Sequence, residues 1–148
     1  MNRCELAYQY HERGFNCAQS VLAAFGDLTR LPEREAMAVS GGFGGGIGGS
    51  HREVCGAMSG AVMALSLLYP HVEEDDAESK RRLYAVIREF QKRFAERFGY
   101  SDCGDLLKAR VQPQGAALEL GISQHCAVLI VSAVEIAERM LREAGVLN

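Results

Sequence analysis

The stretch VCGAMSGAVMALSLLY, residues 54–69, decides the fold. It is sixteen uncharged residues in a row, without the apolar–polar alternation of a half-buried strand. Gly56, Gly60 and Ala64 recur at every fourth position. That period puts them on one helical face and leaves it nearly bare, so neighbouring helices can approach closely. Met63, Leu67 and Leu68 are expected on the opposite side. A membrane span needs about 20 predominantly apolar residues, so the reading is a buried central helix.

Outward from it, helix punctuation recurs and strand patterning does not. Upstream, a helix over Cys4–Arg13 stops at Gly14, and Asn16 caps a second, with Gln19 at the capping-box position and Gly26 after its end. Pro32 opens a third that runs toward Ser40. Nine residues, Gly41-Gly42-Phe43-Gly44-Gly45-Gly46-Ile47-Gly48-Gly49, then lead to Ser50 and Glu53, which read as a capping box for the helix bearing Cys55. Downstream, Glu73, Glu74, Asp75 and Asp76 suit the positive end of an amphipathic helix over Ala77–Phe98. Its apolar stripe is Leu83, Ile87, Phe90, Phe94 and Phe98, and Gly99 closes it. A short helix over Asp102–Lys108, a loop holding Pro113, Gly115 and Gly121, and a last helix from Ser123 to near Gly145 complete the chain. The expected fold is all-α, a compact single-domain bundle of about six or seven helices over residues 1–148.

With 148 residues and a net charge of -3 from interleaved acids and bases, the chain can bury a core without disulfide staples and presents no basic face. Nucleic acid and membrane insertion are not expected. The first residues carry Arg3, Glu5, His11, Glu12 and Arg13 with no apolar run between them, unlike a secretory signal. A cytoplasmic location follows as the expectation, and clustered thiols there more often bind metal or do redox chemistry than form structural disulfides.

Four of the five cysteines stand at expected helix starts. Cys17 follows Asn16, Cys55 lies five residues after Ser50, Cys103 follows Asp102, and Cys126 follows Ser123. Free N–H groups and the helix dipole favour negative charge there, which biases a first-turn thiol toward the thiolate that attacks disulfides and binds soft metals. Cys4 lies on a polar stretch and reads as incidental.

The segment Gly14-Phe15-Asn16-Cys17-Ala18-Gln19-Ser20-Val21, the glycine run leading to Glu53-Val54-Cys55-Gly56-Ala57-Met58-Ser59-Gly60, Asp102-Cys103 and His125-Cys126 together resemble the C-GCAxxG-C-C family of small redox-active proteins. The resemblance covers about Gly14 to Cys126 and implies that Cys17, Cys55, Cys103 and Cys126 are the functional positions. It implies no settled substrate or reaction.

Two chemistries fit four such thiols. They satisfy an iron-sulfur cluster or another thiophilic metal, including a structural zinc in a helical interaction protein. The gaps of 38, 48 and 23 residues contain no local ligand pair, yet a helical bundle can gather distant ligands from facing helices. The alternative is a metal-free thiol–disulfide oxidoreductase. It has no C-x-x-C to support it, but distant cysteines pair when their Cα atoms come within about 7 Å. The even set of four and its shared capping context tilt the reading toward one anionic centre, an iron-sulfur or related metal site used for electron transfer. A redox partner is implied but not identified, and a homodimer is left open.

His51 near Cys55 and His125 beside Cys126 fit either ordinary exposed first-turn residues or groups that tune or replace a ligand. The glycine run formally contains G-x-G-x-x-G, but no strand precedes it, so a nucleotide site lacks its βαβ context. A backbone nest around an anion and a flexible connection are the two readings left for it. No Ser-His-Asp set or carboxylate pair stands out, so hydrolase chemistry has no support.

Overall fold

In the computed structural model, which describes residues 2–148, nine α-helices follow one another: α1 (Arg3–Glu12), α2 (Cys17–Ala24), α3 (Gly26–Thr29), α4 (Glu33–Ser40), α5 (Gly56–Leu68), α6 (Ala77–Phe98), α7 (Cys103–Ala109), α8 (Gly115–Glu119) and α9 (His125–Glu143). A 3₁₀ turn over Gly41–Phe43 prolongs α4. Among the described residues there is no strand, only an isolated antiparallel bridge between Val54 and Asp102. The fold is all-α, with two more helices than the upper sequence expectation.

The two extra helices are α3 and α8. Gly26 does not end helical structure but begins the single turn α3, which stops at Arg30 in the left-handed region. The start of α8 is held by a residue far along the chain. Glu135 of α9 accepts from the Ala116 amide at 2.9 Å through Oε2 while its Oε1 accepts from Arg97 at 2.5 Å. Nothing local to Gly115–Glu119 announces that cap.

The bare face of α5 is used as expected. A Cβ on Gly60 would lie 2.6 Å from the Ala18 carbonyl oxygen and 3.0 Å from the Val21 Cβ, so α2 and α5 meet nearly backbone to backbone. On the other side Leu67 is exposed rather than packed, because α5 buries one face and not its whole circumference. The interior is shared with α9, in which every residue from Ala127 to Val134 is buried. α6 lays Phe90, Phe94 and Phe98 into the same core, as its period requires. No helix of the described residues is long and apolar enough to cross a membrane.

Two expected caps are replaced. Ser50 and Glu53 form no capping box: α5 begins only at Gly56, with Cys55 itself as its N-cap, and the Ser50 hydroxyl turns back to donate to the Gly46 carbonyl at 2.7 Å. At α9 the cap is Gln124, whose side chain accepts from the Ala127 amide at 2.7 Å, in place of Ser123.

Candidate functional site

Each of the four family-pattern cysteines stands at a helix N-terminus. Cys17 is the first residue of α2, and its position is fixed by a reciprocal capping box. Asn16 Oδ1 accepts from the Gln19 amide and Gln19 Oε1 accepts from the Asn16 amide, both at 3.0 Å. Asn16 Nδ2 also donates to the Gly41 carbonyl at 2.9 Å, tying α2 to the glycine run.

Cys55 and Cys103 are joined through the backbone. The Cys55 amide donates to the Ser101 carbonyl at 2.8 Å, and the Cys103 amide donates to the Glu53 carbonyl at 2.9 Å. These two bonds flank the Val54–Asp102 bridge and hold the N-cap of α5 beside the first residue of α7. Cys126, second in α9, is set by the Gln124 cap.

All four line one cavity of about 220 Å³, together with His11, His51 and His125 and the apolar side chains of Leu107 and Leu129. Cys17 and Cys55 are buried, Cys103 and Cys126 half-buried, and all five cysteines are free thiols. The glycine run forms part of the wall through Gly45. From Gly45 to Gly49 every residue is left-handed, Ile47 included at φ 68°. Amide-to-carbonyl bonds from Gly48 to Gly42, Gly49 to Gly44 and His51 to Gly45, 2.8 to 3.0 Å long, lock the coil. It is an ordered wrap over the thiols and not a loose connection.

Cys4 lies elsewhere. Buried, it approaches the Val131 carbonyl at 3.7 Å and Glu138 Oε1 at 3.9 Å, and burial followed by the nearby Glu138 charge pushes its thiol up to about 12. A larger and more open hollow of about 630 Å³ lies near it, around Arg3, Asp27 and Glu138. Arg3 there bonds to Glu138 at 2.7 Å and also to Asp27.

His11 is the member of the cavity that sequence reading did not pick: it sits on the polar helix α1, whose own cysteine, Cys4, lies outside the family pattern. Its Nδ1 lies 3.2 Å from the Phe15 carbonyl oxygen. A carbonyl only accepts, so Nδ1 is the donor in that contact. Phe15 itself belongs to the quoted GFNC run, which is the one sequence feature tied to His11.

The expected thiolate bias is overturned for three of the four thiols. Burial pushes Cys55 up to about 12, and the charge of Cys17 adds to it; the amides of Ala57 and Met58 pull the other way but are outweighed. Cys103 is raised by burial and then by Cys17, and Cys126 by burial and then by Cys17 and Cys103. Helix N-termini favour the anion, yet taking an unpaired charge out of water costs more. Burial lowers His125, disfavouring the charged imidazole.

A measurable order follows. With a pKa of about 12, Cys55 holds a thiolate fraction of about 10⁻⁴ at pH 8. In the folded, metal-free protein Cys103 is expected to alkylate before Cys55 and Cys4, with Cys55 labelling rising about tenfold per pH unit up to its pKa. Mass spectrometry of timed iodoacetamide reactions reads this, and equal rates for Cys55 and Cys103 at pH 8 would contradict it. Because the folded state holds these protons more tightly, the stabilising share is complete below the ordinary thiol value of about 8.5. It declines as pH climbs toward 12.

Among the described residues no three His, Cys, Asp or Glu side chains are gathered closely enough to hold one metal ion. Comparison with known proteins bears on how the cavity is used. A family model described as "Putative redox-active protein (C_GCAxxG_C_C)" matches residues 15–140. The chain is also 29% identical over 135 residues to an uncharacterized protein of Archaeoglobus fulgidus, covering 86% of this chain and 85% of that one. No solved structure matches.

Proposed function

Since the chain belongs to the C_GCAxxG_C_C family, matched from residue 15 to residue 140, we propose that it is a redox protein whose Cys17, Cys55, Cys103 and Cys126 hold an iron-sulfur cluster or a related thiophilic metal group. The observation that carries the reading is the convergence of four helix N-termini, each with its cysteine, on one cavity of about 220 Å³. Four thiolates bring four negative charges, and four N-terminal dipoles oriented toward them offset part of that load. The donor set fits thiophilic metals. The donors stand too far apart for one tetrahedral ion with sulfur bonds of about 2.3 Å, whereas a group of several metal atoms separates its thiolates further.

When bound, such a group supplies a one-electron couple. The chain's own contribution is to exclude water with Leu107, Leu129 and the glycine coil, to keep Cys17 and Cys55 deep, and to leave the Cys103 side nearer solvent for exchange with a donor or acceptor. The raised thiols retain their protons until metal displaces them, so loading releases acid.

The free thiols that share one cavity also support a second reading, reversible disulfide formation between two of the cavity cysteines without metal. Anaerobic purification followed by iron, acid-labile sulfide and zinc analysis separates the two. Iron with matching sulfide and a visible chromophore is the expected result. Metal-free protein whose cavity thiols cycle with a disulfide substrate would replace the first reading with the second.

A further inference from the structure

The corner of the cavity at Cys103 differs from the other three. His51 places Nδ1 3.3 Å from the Cys103 sulfur, across 52 residues of sequence, and lines the same cavity. Among the described residues no other imidazole lies within hydrogen-bond distance of a thiol. Cys103 is half-buried and His51 exposed, so the proton of this pair has a route to water.

The pairing is built and not incidental. His51 holds φ at 63°, a left-handed conformation that a non-glycine residue keeps only where its surroundings impose it. Its amide donates to the Gly45 carbonyl at 2.8 Å. Against its carbonyl α7 presents a glycine, since a Cβ on Gly104 would lie 2.6 Å from the His51 oxygen. A Cβ on Gly46 would lie 2.7 Å from the Cys103 Cβ, so the coil closes on the thiol through a second residue that has no side chain.

We infer that, in the metal-free chain, Cys103 is the thiol that attacks small uncharged disulfides, with His51 Nδ1 as its base. The inference rests on the disulfide reading above and not on the metal one. Burial makes free Cys103 thiolate scarce, and a base within hydrogen-bond reach removes the need for it by taking the proton as the sulfur attacks. The S–S bond of the disulfide then breaks, and its leaving thiolate takes the proton from the imidazolium and departs as a thiol. A second cavity thiol attacks the Cys103 sulfur of the mixed disulfide and passes its own proton to the second leaving thiolate. The chain is oxidised by two electrons to an internal disulfide, and the substrate is reduced to two thiols. Substrate class follows from the walls: the cavity holds about 220 Å³, includes Leu107 and Leu129, and has no Asp, Glu, Lys or Arg in its lining. It suits one short arm of a disulfide and penalises a charged one.

Reduced, metal-free, full-length protein is given one equivalent of dipyridyl disulfide anaerobically. The first pyridyl adduct is expected on Cys103, located by acid quench and mass spectrometry, followed by release of a second pyridinethione as a cavity disulfide closes. His51→Asn keeps a side chain that tolerates the left-handed backbone. It is expected to slow the Cys103 adduct about 100-fold, the lower end of what a positioned base contributes, with iodoacetamide labelling of Cys55 as in wild type. His51→Gly serves the same comparison where Asn disturbs the coil, and it should regain part of the rate with free imidazole, which a packing role would not allow. Hydroxyethyl disulfide, referenced to its rate with free mercaptoethanol, is expected to outpace glutathione disulfide at least about tenfold, because the latter brings carboxylates against apolar walls. A first adduct on another cysteine, an unchanged rate in the His51 variants, no imidazole rescue, or equal referenced rates overturns the inference and leaves the disulfide reading standing. Release of a single pyridinethione with no internal disulfide removes the disulfide reading, and the inference with it.

Discussion

Gly56→Ala is expected to lower metal uptake by at least about tenfold and to destabilise the protein by about 1–3 kcal/mol. The added Cβ would lie 2.3 Å from the Cys17 sulfur, 3.0 Å from the Phe43 carbonyl oxygen and 3.2 Å from the Ala18 amide nitrogen. Two of those three neighbours are backbone and cannot turn aside. The sulfur is the part that can move, and moving it removes one of the four donors from the cavity. Alanine's better helix propensity returns at most about 1 kcal/mol, and less than that at the first position of α5. Gly60→Ala is the control: it meets the Ala18 carbonyl and Val21 one turn further along α5, so it strains the same helix contact and should spare the thiols. Denaturant midpoints and iron or zinc stoichiometry, measured on both variants, check this. Equal metal loss in the two would mean that helix separation, and not the Cys17 position, controls the site.

Phe94→Ala should be the most destabilising single change in the core, by about 3–5 kcal/mol. The ring is fully buried and lies between Phe90 and Phe98, with centroids 6.1 and 5.0 Å away. Truncation leaves a void that these two neighbours, fixed on the same helix, cannot both close. Against a usual total of about 5–15 kcal/mol, that is a loss of about a fifth or more. At about 3 °C per kcal/mol for a chain of this size, the thermal midpoint should fall by about 10–15 °C. Phe94 is not among the cavity-lining residues, so below the new midpoint the alkylation order of the cysteines should be unchanged. A midpoint shift below about 3 °C would mean that α6 is far less coupled to the bundle than its burial implies.

Helix type and most helix positions were legible because their causes are local. The Asn16–Gln19 box, the glycine stops and the four-residue spacing of Gly56, Gly60 and Ala64 each act within one or two turns. The features missed in the sequence have causes elsewhere in the chain. Glu135 caps α8 from α9, and the Ser50 hydroxyl is claimed by the Gly46 carbonyl, so Cys55 inherits the cap of α5. The four cysteines could be named through the family resemblance, but their meeting in one cavity depends on the bundle topology. The thiolate expectation failed for a related reason. Helix dipoles can be read from caps, whereas burial, the larger effect at Cys55, Cys103 and Cys126, exists only after folding. His11 enters through the Phe15 carbonyl, a contact with no sequence signature of its own.

The bridge that ties Glu53–Cys55 to Ser101–Cys103 also sets a timetable. During synthesis the first two thiols leave the ribosome long before their partners, and the closing loop between residues 55 and 103 has to be paid in chain entropy before any bond rewards it. Cys126, at the head of the last helix, comes later still. The cavity therefore needs α9, which supplies Cys126 and Leu129 to its wall: a polypeptide not yet extended that far offers scattered thiols. What holds the four helix starts around it is the apolar core, with α2 packed closely against α5.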